Sequence, residues 1–163
     1  MKFALKFAGC LLCFIGFTAC PYESELAISD PNCAIDTTLI GSWLATDSIH
    51  PGDSAFFDIH AFNKYEYFAE CYDKKTDKKK SQLRAFESRI NGIRILNVSE
   101  LGKKQKFTFV KFQLNKQQIS ISYLSDRVIN QKYKSRKIFL KAIKENFNNE
   151  KLFEENLIFK KIE

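Results

Sequence analysis

Residues 81–98 read SQLRAFESRINGIRILNV, and the pair in the second half of that stretch decides the architecture. Asn91-Gly92 is what a two-residue type I′ turn asks for, because both central residues must take positive φ, which most side chains resist. The flanking runs 81–90 and 93–98 have strand length, so the stretch is predicted to be a β-hairpin.

Outward from this hairpin the period of two continues. Upstream, 65–72 places Tyr65, Tyr67, Ala69 and Cys71 on one face and Glu66, Phe68, Glu70 and Tyr72 on the other. Asn63-Lys64 joins it to a strand at 55–62, and the basic run 73–80 is expected to be a hairpin loop. A first strand at 38–45 carries Leu39, Ile40, Trp43 and Leu44, and His50-Pro51-Gly52-Asp53 then turns the chain. Downstream, 106–114 sets Phe107 and Phe109 against Thr108, Val110, Phe112 and Leu114, which suits a wall covered on both sides. In 118–124 Ile119, Ile121 and Tyr123 alternate with Gln118, Ser120 and Ser122, the cleanest period of two in the chain.

The period then changes. From Ser135, a candidate N-cap, Ile138, Phe139, Ala142, Ile143 and Phe147 recur at helical spacing with Lys137, Lys141 and Lys144 opposite, which predicts an amphipathic helix over 136–147 packed on the sheet. A last strand follows at 157–162. The predicted class is all-β, an eight-stranded antiparallel meander barrel with one C-terminal helix before the last strand. The 16 Phe, 6 Tyr and 1 Trp favour strands in the same way. Such a barrel is either just filled by side chains or holds one small ligand. Tyr65, Tyr67, Phe107, Phe109 and Tyr123 are the candidates to line a cavity, and a packed core would give the same pattern.

The first 19 residues have a different character. Lys2 and Lys6 precede an apolar run over 7–17 and then the small residues Thr18 and Ala19, the layout of an export signal. The run is far shorter than the roughly 20 residues a membrane-spanning helix needs. The chain thus divides into a leader over 1–19, an acidic, proline-containing segment over 20–37 read as a tether, and one domain over 38–163. That length suits a single domain.

Phe17-Thr18-Ala19-Cys20 resembles the lipobox of bacterial lipoproteins. The resemblance implies that Cys20 becomes the lipidated first residue of the mature protein and holds it to a membrane, because two or more buried acyl chains anchor stably. Pro21 stands where the family's inner-membrane retention signal would be aspartate, which implies the outer membrane. Loss of the leader with Cys10 and Cys13, and acylation of Cys20, would leave Cys33 and Cys71, and an exported pair is expected to form one disulfide. Gly41-Ser42-Trp43 in the first strand, followed by a meander, a late helix and a last strand, resembles the lipocalins and the lipocalin-like domains of bacterial lipoproteins. This implies that Gly41 and Trp43 are structural, with the tryptophan packed across the closed end of the barrel.

Charge is segregated along the chain. Residues 20–63 hold seven acids and no Lys or Arg, whereas every base of the mature chain lies after residue 63. A basic surplus can signal nucleic acid, a partner an exported lipoprotein seldom meets, so none is expected. The expected function is ligand binding in the barrel of an envelope lipoprotein. The alternative is a non-catalytic interaction protein with a filled core, acting through basic residues such as Lys74, Lys75, Lys78, Lys79 and Lys80. His50 with Asp53, and Asp58 with His60, have spacings that could suit a metal or an acid/base pair, but solvated polar faces give the same pattern. No nucleophile elbow, phosphate loop or zinc-type cysteine spacing is present, so neither catalysis, a metal nor a cofactor is expected.

Overall fold

A computed structural model describes residues 20–46, 55–73, 76 and 78–162. The Asn91-Gly92 hairpin forms as its turn chemistry requires, with φ of 49° at Asn91 and 80° at Gly92. In chain order the strands are β1 (Glu23–Ser24), β2 (Gly41–Ala45), β3 (Ala55–Ala61), β4 (Glu66–Asp73), β5 (Lys78–Ile90), β6 (Ile93–Glu100), β7 (Phe107–Leu114), β8 (Gln118–Leu124) and β9 (Phe153–Ile162). One helix, α1 (Arg136–Glu145), lies between β8 and β9. Strands β2 to β8 pair in sequence, and β9 bonds to both β8 and β2, so eight antiparallel strands close into a barrel. Closure leaves these strands no free sheet edge.

Apolar side chains form two clusters, one on each side of the barrel wall. The inner one contains Trp43, Tyr67, Ala85, Val110, Phe112, Ile119, Tyr123, Leu157 and Phe159. The outer one contains Phe86, Ile90, Ile95, Phe107 and Phe109 from β5 to β7, covered by Phe139 and Ile143 of α1 and by Tyr22, Ala27 and Ile28. Strand β7 is therefore apolar on both faces because both are covered. The ring of Phe139 lies 5.1 Å from that of Phe109 and 5.5 Å from that of Tyr22.

Several boundaries differ from expectation. The basic run is not all loop: Lys78, Lys79 and Lys80 begin β5, where Lys79 bonds Glu70 at 2.7 Å and Lys80 bonds Asp73 at 2.9 Å across the β4 pairing. A register shift between Cys71 and Tyr72 accommodates the extra residue. Strand β2 starts later, at Gly41, because Thr37–Leu39 forms a 3-10 turn capped by Asp36, whose carboxylate accepts from Thr38 N at 3.0 Å. Strand β9 starts earlier, at Phe153, whose residue pairs with Leu124. Ser135 does occupy the N-cap of α1, without a side-chain capping bond.

The segment before β2 is not a loose tether. It starts with Asp126 N donating to Cys20 O at 3.4 Å and Tyr22 N donating to Leu124 O at 2.8 Å, and β1 then pairs with β7. It runs along the outside of the barrel, where Ile28 N donates to the buried Asn97 Oδ1 at 2.8 Å and Ser29 meets Ser88 at 2.6 Å. It turns inward beside the β3–β4 connection, where Ile35 N bonds Lys64 O at 3.0 Å. The charge segregation has its use here: Glu23, Glu25, Asp30 and Asp36 pair with Lys106, Lys104, Arg136 and Arg94. The acids of the segment are complementary to the basic body it lies on. Asn97, whose sequence context matches a glycosylation acceptor, is fully buried in this contact.

The expected Cys33–Cys71 disulfide is not formed, since Cys33 is a free thiol beside Asn32. The chain around Cys33 meets the beginning of β4, where Asp36 N donates to Tyr67 Oη at 2.6 Å. Cys71 is fully buried on the same β4 face as the inner-cluster residue Tyr67, whereas Cys33 is half-buried on the segment before the barrel.

Candidate functional site: the barrel interior

One end of the barrel is capped. The 3-10 turn Thr37–Leu39 crosses it, placing Leu39 against the inner cluster, and Trp43 fills the space beneath with 1% of its surface exposed. The indole Nε1 donates to Leu39 O at 2.8 Å, so the buried ring has its one polar group satisfied. Lys161, on β9 beside Trp43, stands 5.3 Å from the ring centroid and donates to Thr38 O at 3.3 Å. Gly41 opens β2 at φ 127°, and a Cβ there would lie 2.9 Å from Lys161 Cε.

Next to this cap lies a charged network that the sequence did not announce. Strand β5 sends Ala85 and Glu87 inward, and β6 sends Arg94, Leu96 and Val98 inward opposite them. The Glu87 carboxylate, 1% exposed, accepts from Arg89 Nε at 2.8 Å and from Arg94 Nη2 at 2.6 Å and Nε at 3.0 Å. Arg94 also bridges to Asp36 at 2.9 Å and lies 4.4 Å above the Phe112 ring. Two carboxylates and two guanidinium groups leave no net charge, and each partner of Glu87 offsets its desolvation. The Asp36 carboxyl is held below its ordinary range, first by the Thr38 hydroxyl and further by Arg94; burial works against this. Burial pushes the Tyr67 phenol up.

Elsewhere the inner wall is apolar. Phe57, Ile59, Leu96, Val98, Leu114 and Ile121 pack against the inner cluster yet stay partly accessible to solvent, whereas Phe112 and Ile119, directly opposite Ile121 and Leu114, are buried. Closed strands with an apolar inner wall and a few convergent polar groups at one end have the composition of a small-molecule site.

The five candidate lining residues are divided. Tyr67 and Tyr123 face the interior, whereas Phe107 and Phe109 lie on the outer face beneath α1 and the N-terminal segment. Tyr65 is in the β3–β4 connection, 37% exposed, with the Lys64 ammonium 5.2 Å from its ring. Alternation had sorted β7 into two faces, but both are apolar, so only the covering elements decide which is inside. A usable signal for the missed Glu87 and Arg94 was their position across the hairpin on the same faces as Ala85 and Leu96.

Asp58 and His60 share the outer face of β3, with Nε2 to Oδ2 at 3.3 Å, and Ser42 donates to the other carboxylate oxygen at 3.1 Å. The serine bonds the carboxylate and not the imidazole, so the three do not form a nucleophile–base relay. His50 and Asp53 lie outside the described residues, as do Lys74 and Lys75. Among the described residues no group of His, Cys, Asp or Glu could hold a metal ion. Cys20 is exposed at the end of the barrel opposite the cap. No protein-family model, curated protein or solved structure matches the chain.

Proposed function

We propose that this chain is a lipocalin-like lipoprotein of the bacterial cell envelope, anchored through acylated Cys20, that binds a small apolar or amphiphilic ligand inside its barrel. The observation that carries the ligand reading is the partial solvent accessibility of Phe57, Leu96, Val98 and Ile121, apolar side chains on the inner wall of a closed barrel. A packed barrel would bury such residues as thoroughly as Phe112 and Phe159 are buried. The buried Trp43 beneath the cap supplies a reporter. Fatty acids titrated into the delipidated protein should change its emission saturably, and native mass spectrometry should show one bound ligand per chain. A barrel that stays empty and gives no fluorescence response across chain lengths would refute the reading.

The anchor rests on the basic start, the short apolar run and Phe17-Thr18-Ala19-Cys20. Pro21, where the family's inner-membrane retention signal would be aspartate, favours the outer membrane in an organism that has one. Cys20→Ala should abolish acyl labelling and release the domain from the membrane fraction, and unchanged labelling would sink the assignment.

A further inference from the structure

The position of Cys20 on the barrel carries an inference about how the protein meets its membrane, and it rests on acylation of that residue. A free tether over 20–37 would reach roughly 60 Å when extended, at about 3.3–3.6 Å per residue, and would leave the barrel free to tumble. No such length is free. The carbonyl of Cys20 itself accepts from Asp126 N, Pro21 bridges to Ser125, Tyr22 N donates to Leu124 O, and Glu23–Ser24 pairs with β7. Tyr22 is only 6% exposed, and its hydroxyl donates to Gln131 O at 3.0 Å. The chain is fixed from the residue that would carry the lipid onward, where β8 ends and β7 begins.

The β6–β7 connection lies at this same end. It presents Leu101, 40% exposed, followed by Lys103 and Lys104. An apolar side chain flanked by lysines suits the boundary between headgroups and acyl chains. Lys103 and Lys104 are each paired, with Glu100 and Glu25, and Lys106 with Glu23, so the local charge is balanced. Orientation is then set by the covalent attachment point and the apolar contact more than by attraction to anionic lipid.

We infer that the acylated protein stands end-on, with the β6–β7 connection against the bilayer and the capped end pointing away. The capped end carries Trp43, the Asn91-Gly92 turn and the β7–β8 turn at Lys116.

The test uses full-length acylated protein in phosphatidylcholine vesicles containing a lipid brominated along its acyl chains, which quenches nearby tryptophan. Leu101→Trp and Lys116→Trp each add one reporter at an exposed turn, with Trp43 as a constant background. The added emission of the Leu101→Trp protein should be quenched by about half or more, since interfacial side chains sit roughly 5–10 Å into the boundary, while that of Lys116→Trp stays unchanged. Inserting ten Gly/Ser residues between Cys20 and Pro21 adds about 18 Å of flexible reach and should remove most of that quenching with acyl labelling intact. Retained acylation and vesicle flotation with Leu101→Trp unquenched, or both reporters quenched alike, would overturn the orientation while leaving the anchor standing. Quenching that survives the insertion would also overturn it. Loss of Cys20 acylation would remove both anchor and orientation.

Discussion

Gly41 occupies a backbone conformation that other residues reach only with strain, at φ 127°, and its missing Cβ gives Lys161 room to pass over Trp43. Two costs are therefore separable. Gly41→Ala should destabilise by about 1–3 kcal/mol from the backbone alone, and adding Lys161→Ala should relieve the contact but not that penalty; full rescue in urea unfolding would contradict it. Glu87 and Arg94 make a second residue-scale test. Arg94→Leu leaves a buried carboxylate short of its main partner and should cost about 3 kcal/mol, whereas Glu87→Leu/Arg94→Leu should cost less than the two single changes together. Additive losses would show that the pair is not coupled. Asp36 adds a pH signature. Its folded pKa lies below the ordinary 3.8, so its contribution is present above that value and lost as pH falls through the folded pKa. Asp36→Asn should therefore be less stable than wild type at neutral pH, with the gap closing in acid. A gap that persists at pH 2 would assign the effect to capping geometry in place of charge.

Strands and turns were legible in the sequence because a half-buried strand must alternate and an I′ turn must contain residues tolerant of positive φ. Every one of the eight predicted barrel strands forms. What alternation lacks is a direction. Phe107 and Phe109 are as apolar as Val110 and Phe112, and it is α1 and the N-terminal segment that make the first pair outer. That segment has no hydrophobic period to read, since it is held by single contacts to Asn97, Ser88 and Leu124 and by ion pairs, none of which leaves a local pattern. The helix gives a direct check on the covering. Phe139 is fully buried and Ile138 is 58% exposed, so Phe139→Ala should cost about 3–5 kcal/mol and Ile138→Ala less than about 0.5 kcal/mol. Equal losses in thermal unfolding would mean that α1 does not seat by this face.

At the scale of the molecule the barrel has a polarity. One end is sealed by the 3-10 turn, Trp43 and the Asp36–Arg94–Glu87 network, and the other carries Cys20. Between them the inner wall sets thoroughly buried residues beside partly accessible ones at the same level, Phe112 opposite Ile121 and Ile119 opposite Leu114, a difference that no sequence pattern encodes because it depends on how neighbouring strands pack. Filling that wall decides whether the interior is hollow. Leu96→Phe and Val98→Phe enlarge side chains that face inward from β6. In a packed barrel each should cost about 1–3 kcal/mol through off-rotamer strain. In a hollow one the added ring finds space, so stability should hold or rise, because more apolar surface leaves water, while fatty-acid titration of Trp43 loses its response. Stability and binding should thus move in opposite directions in the same variant. A protein that unfolds more readily and still responds to ligand would place the ligand site somewhere other than between β5, β6 and β7.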